Sequence, residues 1–422
     1  MTIVKFTNAQ LAWKDGTFRQ GDLLVDSESG LILSPQQHFY SHKHVDRTID
    51  LRDSILSPGF IDAQINGAYS VDFSLVGEDE EEYIAGLDTV SKRIVETGTT
   101  AYVPTVITQQ KAMYQRLLPL LRPRTISDGA HVLGYHAEGP FLFPEKKGAH
   151  EPSFLLEAKN GMRTWEEVYG RQALDQDGVK IITAAPDVEG VIDCIAPATK
   201  RGVTCSVGHS NAPVDLASRA ISLGARWVTH LFNAMPQMHH RDPGVIGTLG
   251  AQAESARPFW GIIADGIHVH PNAVRLAYDC HPQGAVLVTD AMPLMDPKLP
   301  DGAHKWRDGR CIHKEGLKLT IEGTETLAGA AISLDACVRN LAKFTSAPLS
   351  QAIRAATYNV SEMLGGKVAA RKGSLEVGKH ADLVILDKHG HVRSTWIMGR
   401  EVWTADEGVE LQVEAEARSC KL

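Results

Sequence analysis

Eight short apolar runs, most of them continuous rather than alternating, punctuate the middle of this chain. They are Gly59–Ile65, Thr100–Val106, Val132–Ala137, Val179–Ala185, Val203–Gly208, Trp227–Leu231, Trp260–Ala264 and Ala285–Thr289. A strand with one wet face alternates polar and apolar residues, whereas a parallel strand covered on both faces reads as an unbroken apolar run. Between the runs lie segments of helical period, such as Tyr83–Glu96 and Pro213–Leu223. Strand and helix repeated eight times predict an α/β fold, a (β/α)8 TIM barrel of about 250 residues. Residues 58–365 leave room for it, with insertions.

The flanks read differently. Residues 1–57 and 366–422 carry short alternating stretches such as Ile3-Val4-Lys5-Phe6 and Asp22-Leu23-Leu24-Val25 between turns. Neither flank is long enough to bury a core alone. They are expected to pair into one small β-sandwich domain, with the helical pattern over 348–364 joining it to the barrel. The acidic run Glu78–Glu82 suits the solvated first turn of a helix, where carboxylates complement the dipole.

Composition narrows the partners. Of 422 residues, 43% are hydrophobic and 22% charged, an ordinary globular balance that excludes a disordered or collagen-like chain. A net charge of −8 argues against a nucleic-acid or anionic-membrane surface. No run of 18 apolar residues exists, so no transmembrane helix is expected. The six cysteines are far apart and form no CxxC pair, which fits reduced thiols in a cytoplasmic protein. The final Cys420-Lys421-Leu422 is one change from a peroxisomal address, the weaker alternative.

In a TIM barrel the chemistry belongs at the C-terminal ends of the strands. Six of the eight runs end in reactive residues: Asp62 to Gly67, His136 to Pro140, Gly208 to Ala212, Thr229 to Met235, Ala264 to His270, and Thr289 to Ala291. One carboxylate, Glu138, and two imidazoles, His209 and His230, make a plausible three-ligand metal site with a position open for water. A bound metal lowers the pKa of its water from 15.7 to about 7. Asp290, at the end of the eighth run, is the candidate to move that water's proton. The alternative uses are core histidines bonded to backbone, and an Asp290 that caps the following segment.

The segments SPGFIDAQINGAYSVDFS, HAEGPFLFPEKKGAH, SVGHSNA, THLFNAMPQMHHRDPG, GIIADGIHVHP, VLVTDAM and GSLEVGKHADLVILD follow one another in this order. Together they resemble the amidohydrolase superfamily and, within it, the deacetylases of N-acetylglucosamine 6-phosphate; HHRDPG is similar to the animal-type members. The resemblance implies hydrolysis of that amino sugar to glucosamine 6-phosphate and acetate, and it covers nearly the whole chain. It implies metal ligation by Glu138, His209 and His230, with Asp290 as general base and acid. It further implies sugar contacts from Ala149, His150, Asn233, Ala234, Arg241, Asp265, Gly266, Ile267, His268, Leu327, Ala328 and Gly329. Of these, His150 would polarise the acetyl carbonyl and Arg241 would meet the 6-phosphate. A guanidinium forks well onto phosphate oxygens, although a salt bridge to Asp242 is the competing use of Arg241. The family also implies a homodimer whose phosphate ligands come partly from the other subunit.

One departure bears on the metal count. Many amidohydrolases carry His-x-His at the end of the first strand, where this chain has Gln64 and Asn66. The fourth strand's end, Thr183-Ala184-Ala185-Pro186, also lacks a metal-bridging lysine. One divalent metal per subunit is therefore expected, with zinc first and cobalt, iron or manganese as alternatives. The competing functions are hydrolysis of a different N-acyl amine or cyclic amide, and a non-catalytic scaffold.

Overall fold

The computed structural model describes residues 2–405 apart from 42, 176–177, 253–256, 307–308 and 310, together with the backbone of 413–414. The expectations for 406–412 and for the C-terminal tripeptide lie outside the described residues.

The eight apolar runs form eight parallel barrel strands. In chain order they are Phe60–Ile65, Thr99–Ile107, the interrupted pair His131–Val132 and Tyr135–Glu138, Val179–Ala184, Thr204–Val207, Trp227–Val228, Phe259–Ile262 and Ala285–Leu287. Each pairs in parallel with the next. Nearly every residue in them is buried, as continuous apolar runs require. Helices cross between them on the outside. The helix Glu80–Ile94 starts at Asp79, whose carboxylate accepts from the Glu81 and Glu82 N–H groups, and Glu80–Glu82 fill its first turn.

Strand eight returns to strand one through a short seam. The Asp290 N–H donates to Gln64 O at 2.9 Å and the Asn66 N–H to Ala291 O at 2.8 Å. Below these, the Thr289 hydroxyl donates to Asp62 Oδ2 at 2.6 Å. Asp62 is fully buried, and that burial pushes its pKa up to about 7 despite the Thr289 bond.

The flanks build a separate nine-stranded sheet. Its order is Arg400–Thr404, Val392–Ile397, Leu383–Leu386, Ile55–Pro58, Ile3–Ala12, Phe18–Asp26, Leu31–Ile32, with Arg47–Asp50 also on Ile3–Ala12 and Val413–Glu414 beyond it. Phe6 and Trp396 meet edge to face at 5.0 Å although two strands, Leu383–Leu386 and Ile55–Pro58, stand between Val392–Ile397 and Ile3–Ala12 in the sheet. The sheet therefore curls over its own apolar core, which Val25, Ile49, Leu56 and Ile385 fill.

Two features differ from the sequence pattern. The joint over 348–364 is two helices, Leu349–Ala356 and Tyr358–Leu364, broken at Thr357, whose hydroxyl donates back to Ile353 O at 2.9 Å. After strand eight the chain also inserts a three-stranded antiparallel sheet: Gly302–Lys305, Cys311–Glu315 and Lys318–Ile321. Ile312 and Leu319 on its inner face pack on Met292 and Ala328 at the barrel mouth. Among the described residues no helix is long and apolar enough to cross a membrane.

The Asp62 seam carries a pH signature. In the unfolded chain Asp62 loses its proton near its ordinary 3.8, whereas in the fold it keeps it to about 7. The folded state thus binds more protons between those values, and stability falls as pH rises from about 4 to about 7. Asp62→Asn keeps an acceptor for Thr289 and removes the charge. Denaturant unfolding at pH 5 and pH 8 should show the variant losing less stability over this interval than the parent protein.

Candidate active site

The loaded strand ends meet at one cavity of about 200 Å³ at the C-terminal mouth of the barrel. Glu138 closes the third strand, and His209 and His230 follow the fifth and sixth. Glu138 Oε1 lies 3.2 Å from His209 Nε2 and 3.0 Å from His230 Nε2, and the two imidazole nitrogens are 3.0 Å apart. All three side chains are buried. Ligand atoms held 2.0–2.1 Å from a tetrahedral zinc are about 3.3 Å from one another, so this triangle has the dimensions of a metal site.

Protonation supports the same reading. The Nδ1–H of His209 donates to Lys146 O at 2.8 Å, which leaves the lone pair on Nε2, facing Glu138 and His230. Burial opposes the charge of Glu138, but the two imidazoles beside it hold its pKa well below the ordinary value. Burial likewise opposes the protonated form of His230, yet the Glu138 bond and charge raise its pKa. Without a cation, a proton must do the neutralising.

His150 stands beside the triangle, its Nε2 3.9 Å from Glu138 Oε2. Glu138, His150 and His209 also gather closely enough to hold an ion. However, the Thr108 backbone N–H donates to His150 Nδ1 at 3.2 Å. A neutral His150 therefore carries its proton on Nε2, as a hydrogen-bond donor to the cavity. His230 is the better candidate for a third ligand.

Asp290 lies opposite. Its Oδ1 accepts from Asn66 Nδ2 at 2.7 Å and from Gln64 Nε2 at 3.2 Å. Gln64 Nε2 also donates to Glu138 Oε1 at 3.1 Å. The two amides standing where His-x-His is common thus turn N–H groups toward the carboxylates. An N–H donor is no ligand for a cation. Burial, and next the charge of Glu138, push the Asp290 pKa up to about 6.

The remaining expected residues divide into two groups. Ala149, Asn233, Ala234, His268, Leu327, Ala328 and Gly329 line the same cavity. Gly329 has φ +71°, and a Cβ there would come within 2.3 Å of Met292 Cγ. Asp265, Gly266 and Ile267 do not line the cavity. Asp265 accepts from the Ile267 and His268 N–H groups and lies 2.6 Å from His268 Nδ1, so it orients that ring. Arg241 is exposed, is not part of the cavity wall, and makes no ion pair among the described residues. Asp242 instead accepts from the Val214 and Gly244 N–H groups.

Sequence reasoning missed Trp306 and Met292, which line the cavity from the segment after strand eight, and Thr108, which sets the His150 tautomer. Thr108 directly follows the second strand, so the strand-end rule could have found it. Trp306 directly follows the first strand of an inserted sheet that had no signal.

The amidohydrolase family model matches residues 55–402. The N-acetylglucosamine-6-phosphate deacetylase of Caenorhabditis elegans is 39% identical over 411 residues, covering 96% of each chain. The crystal structure of the Pasteurella multocida enzyme of that name superposes with a TM-score of 0.79 at 29% identity, covering 94% of this chain and 99% of that one. A variant of the Mycobacterium smegmatis enzyme, solved in complex with N-acetyl-D-glucosamine-6-phosphate, gives 0.78 at 26% identity, covering 96% and 99%. A barrel that gathers Glu138, His209 and His230 at its mouth and matches the family over most of its length belongs to the amidohydrolase family.

Proposed function

We propose that this chain hydrolyses N-acetyl-D-glucosamine 6-phosphate to D-glucosamine 6-phosphate and acetate. The observation that carries this reading is the convergence of Glu138, His209 and His230 within 3.0–3.2 Å, with Asp290 and the His150 Nε2–H at the same cavity. The names of the similar enzymes support the substrate.

Glu138, His209 and His230 would hold one divalent cation, zinc first among zinc, cobalt, iron and manganese. Such an ion supplies Lewis acidity and a water of lowered pKa. Asp290 takes a proton from the attacking water and returns it to the amine nitrogen as the carbon–nitrogen bond breaks. Asn66 and Gln64 both engage its Oδ1, which leaves Oδ2 for proton transfer. His150, held neutral by Thr108, donates from Nε2 to the acetyl oxygen where negative charge develops. Ala149, Asn233, Ala234, His268 and Leu327 to Gly329 position the sugar, and Asp265 to Ile267 hold His268.

Arg241 meets the 6-phosphate. Because it stands outside its own chain's cavity wall, we assign it to the site of a second subunit in a homodimer. The same reading divides the chain into a catalytic barrel over 58–365 and a sheet domain of 1–57 with 366–422. The described cysteines are all free thiols, which suits a reducing compartment such as the cytoplasm.

Acetate release and metal content, measured on the same sample, test the assignment. Asp290→Asn should keep one metal per chain and lower kcat by roughly 10²–10⁴-fold, the range for lost general acid–base catalysis. Two metals per chain would refute the single site, and full activity in the variant would refute the role of Asp290. Arg241→Ala should raise KM for the phosphorylated sugar by roughly tenfold or more, the effect of losing a charge-assisted contact, and leave unphosphorylated N-acetylglucosamine unaffected.

A further inference from the structure

The two sides of the catalytic cavity differ in character. Apart from Ala149, the wall residues assigned above to the sugar come from the sixth to eighth strands and the segments that follow them. The opposite side is built from the first three strands. Among the described residues it consists of Asn66, Ile107, Glu138 and the loop from Gly148 to His150. Ile107 is the one branched apolar side chain on that side.

Strand register aims Ile107 into the cavity. Strands two and three pair with Thr105 beside His136 and Ile107 beside Glu138. Thr105 Oγ1 lies 3.4 Å from His136 Nδ1 inside the barrel, so these two side chains share the inner face. Side chains alternate along a strand, so Ile107 and Glu138, two residues further on, face the same way. Ile107 is accordingly half-buried at the end of an otherwise buried strand.

The backbone around it is anchored. The Ile107 N–H donates to Oγ of the buried Ser74 at 3.1 Å, and the next N–H, that of Thr108, donates to His150 Nδ1 at 3.2 Å. His150, the donor to the acyl oxygen, is thus tied to the backbone directly after Ile107. With two successive N–H groups held, the wall has little room to retreat from a longer ligand.

We propose that Ile107 sets the acyl length this site accepts: its side chain abuts the end of the acyl group, admitting acetyl and opposing longer chains. The inference rests on the proposed deacetylation. With the carbonyl oxygen at His150 Nε2 and the amide nitrogen at Asp290, the sugar extends toward strands six to eight. An amide is planar, so the carbon on the other side of its carbonyl points away from the sugar, toward strands one to three. Asn66 on that side is already turned to Asp290, its Nδ2 donating to Oδ1 at 2.7 Å. Ile107 is the apolar surface left for the methyl group.

The test uses N-formyl, N-acetyl, N-propanoyl and N-butanoyl glucosamine 6-phosphate with the metal-loaded enzyme. Each releases the same amine, glucosamine 6-phosphate, so one assay of that product gives kcat/KM across the series. The parent enzyme should prefer acetyl to butanoyl by roughly tenfold or more, the scale on which an apolar pocket discriminates methylenes. Ile107→Ala should reduce or invert that preference by roughly tenfold or more. Ile107→Phe should shift preference the other way, toward formyl over acetyl. A purely structural role for Ile107 would lower all four rates together and leave their ratios in place, which overturns the proposal. So does a parent enzyme that takes butanoyl as readily as acetyl. A parent enzyme that hydrolyses no member of the series overturns the substrate reading itself, and the role of Ile107 with it.

Discussion

Two carboxylates, the buried Glu138 and the half-buried Asp290, share the mouth of one barrel, and the site is organised around keeping both there. Charges removed from water need partners, and unpaired ones neutralise by shifting their pKa. Glu138 has two imidazoles; Asp290 has two amide donors and drifts upward. The backbone bends to bring these groups in. His209, His230 and Asp290 have φ of 49°, 30° and 49°, left-handed values that cost a non-glycine residue on the order of 1–3 kcal/mol each. Firm neighbours hold them. Phe143 N–H donates to His209 O at 2.9 Å, and the strand-one seam holds Asp290.

Beneath the cavity a row of buried polar side chains is joined by hydrogen bonds. His136 Nε2 lies 2.7 Å from the Thr183 hydroxyl, Thr183 lies 2.6 Å from Thr229, and Thr229 lies 2.5 Å from Ser206. Burial pushes the His136 pKa down to about 4, so it remains neutral under the charged groups. This row spans the third to the sixth strand. It fixes the floor on which Glu138 and His230 stand, because each partner in a closed network restricts the rotamers of the next.

Legibility followed burial. The barrel was readable because parallel strands covered on both faces lose alternation, and because a parallel barrel concentrates its chemistry at strand ends. Glu138, His209, His230 and Asp290 could be singled out on that rule alone. The inserted sheet was not readable: Gly302–Lys305 is only half buried and the strands are four or five residues long. Trp306 was lost with it. The break at Thr357 depends on one hydroxyl returning to a carbonyl, which periodicity does not encode. Arg241 is the converse case, a residue singled out by resemblance that the fold of one chain leaves outside the cavity wall.

The flanking sheet has a consequence for how the chain is made. Ile55–Pro58, which leads into the first barrel strand, takes Leu383–Leu386 as its neighbour on one side. During synthesis from the N-terminus, that neighbour emerges more than three hundred residues later. Ile3–Ala12 and Phe18–Asp26 can pair early, but Ile55–Pro58 presents an open edge until the barrel has been completed. An unpaired edge recruits other strands. The nascent chain therefore carries that open edge until the C-terminal strands arrive.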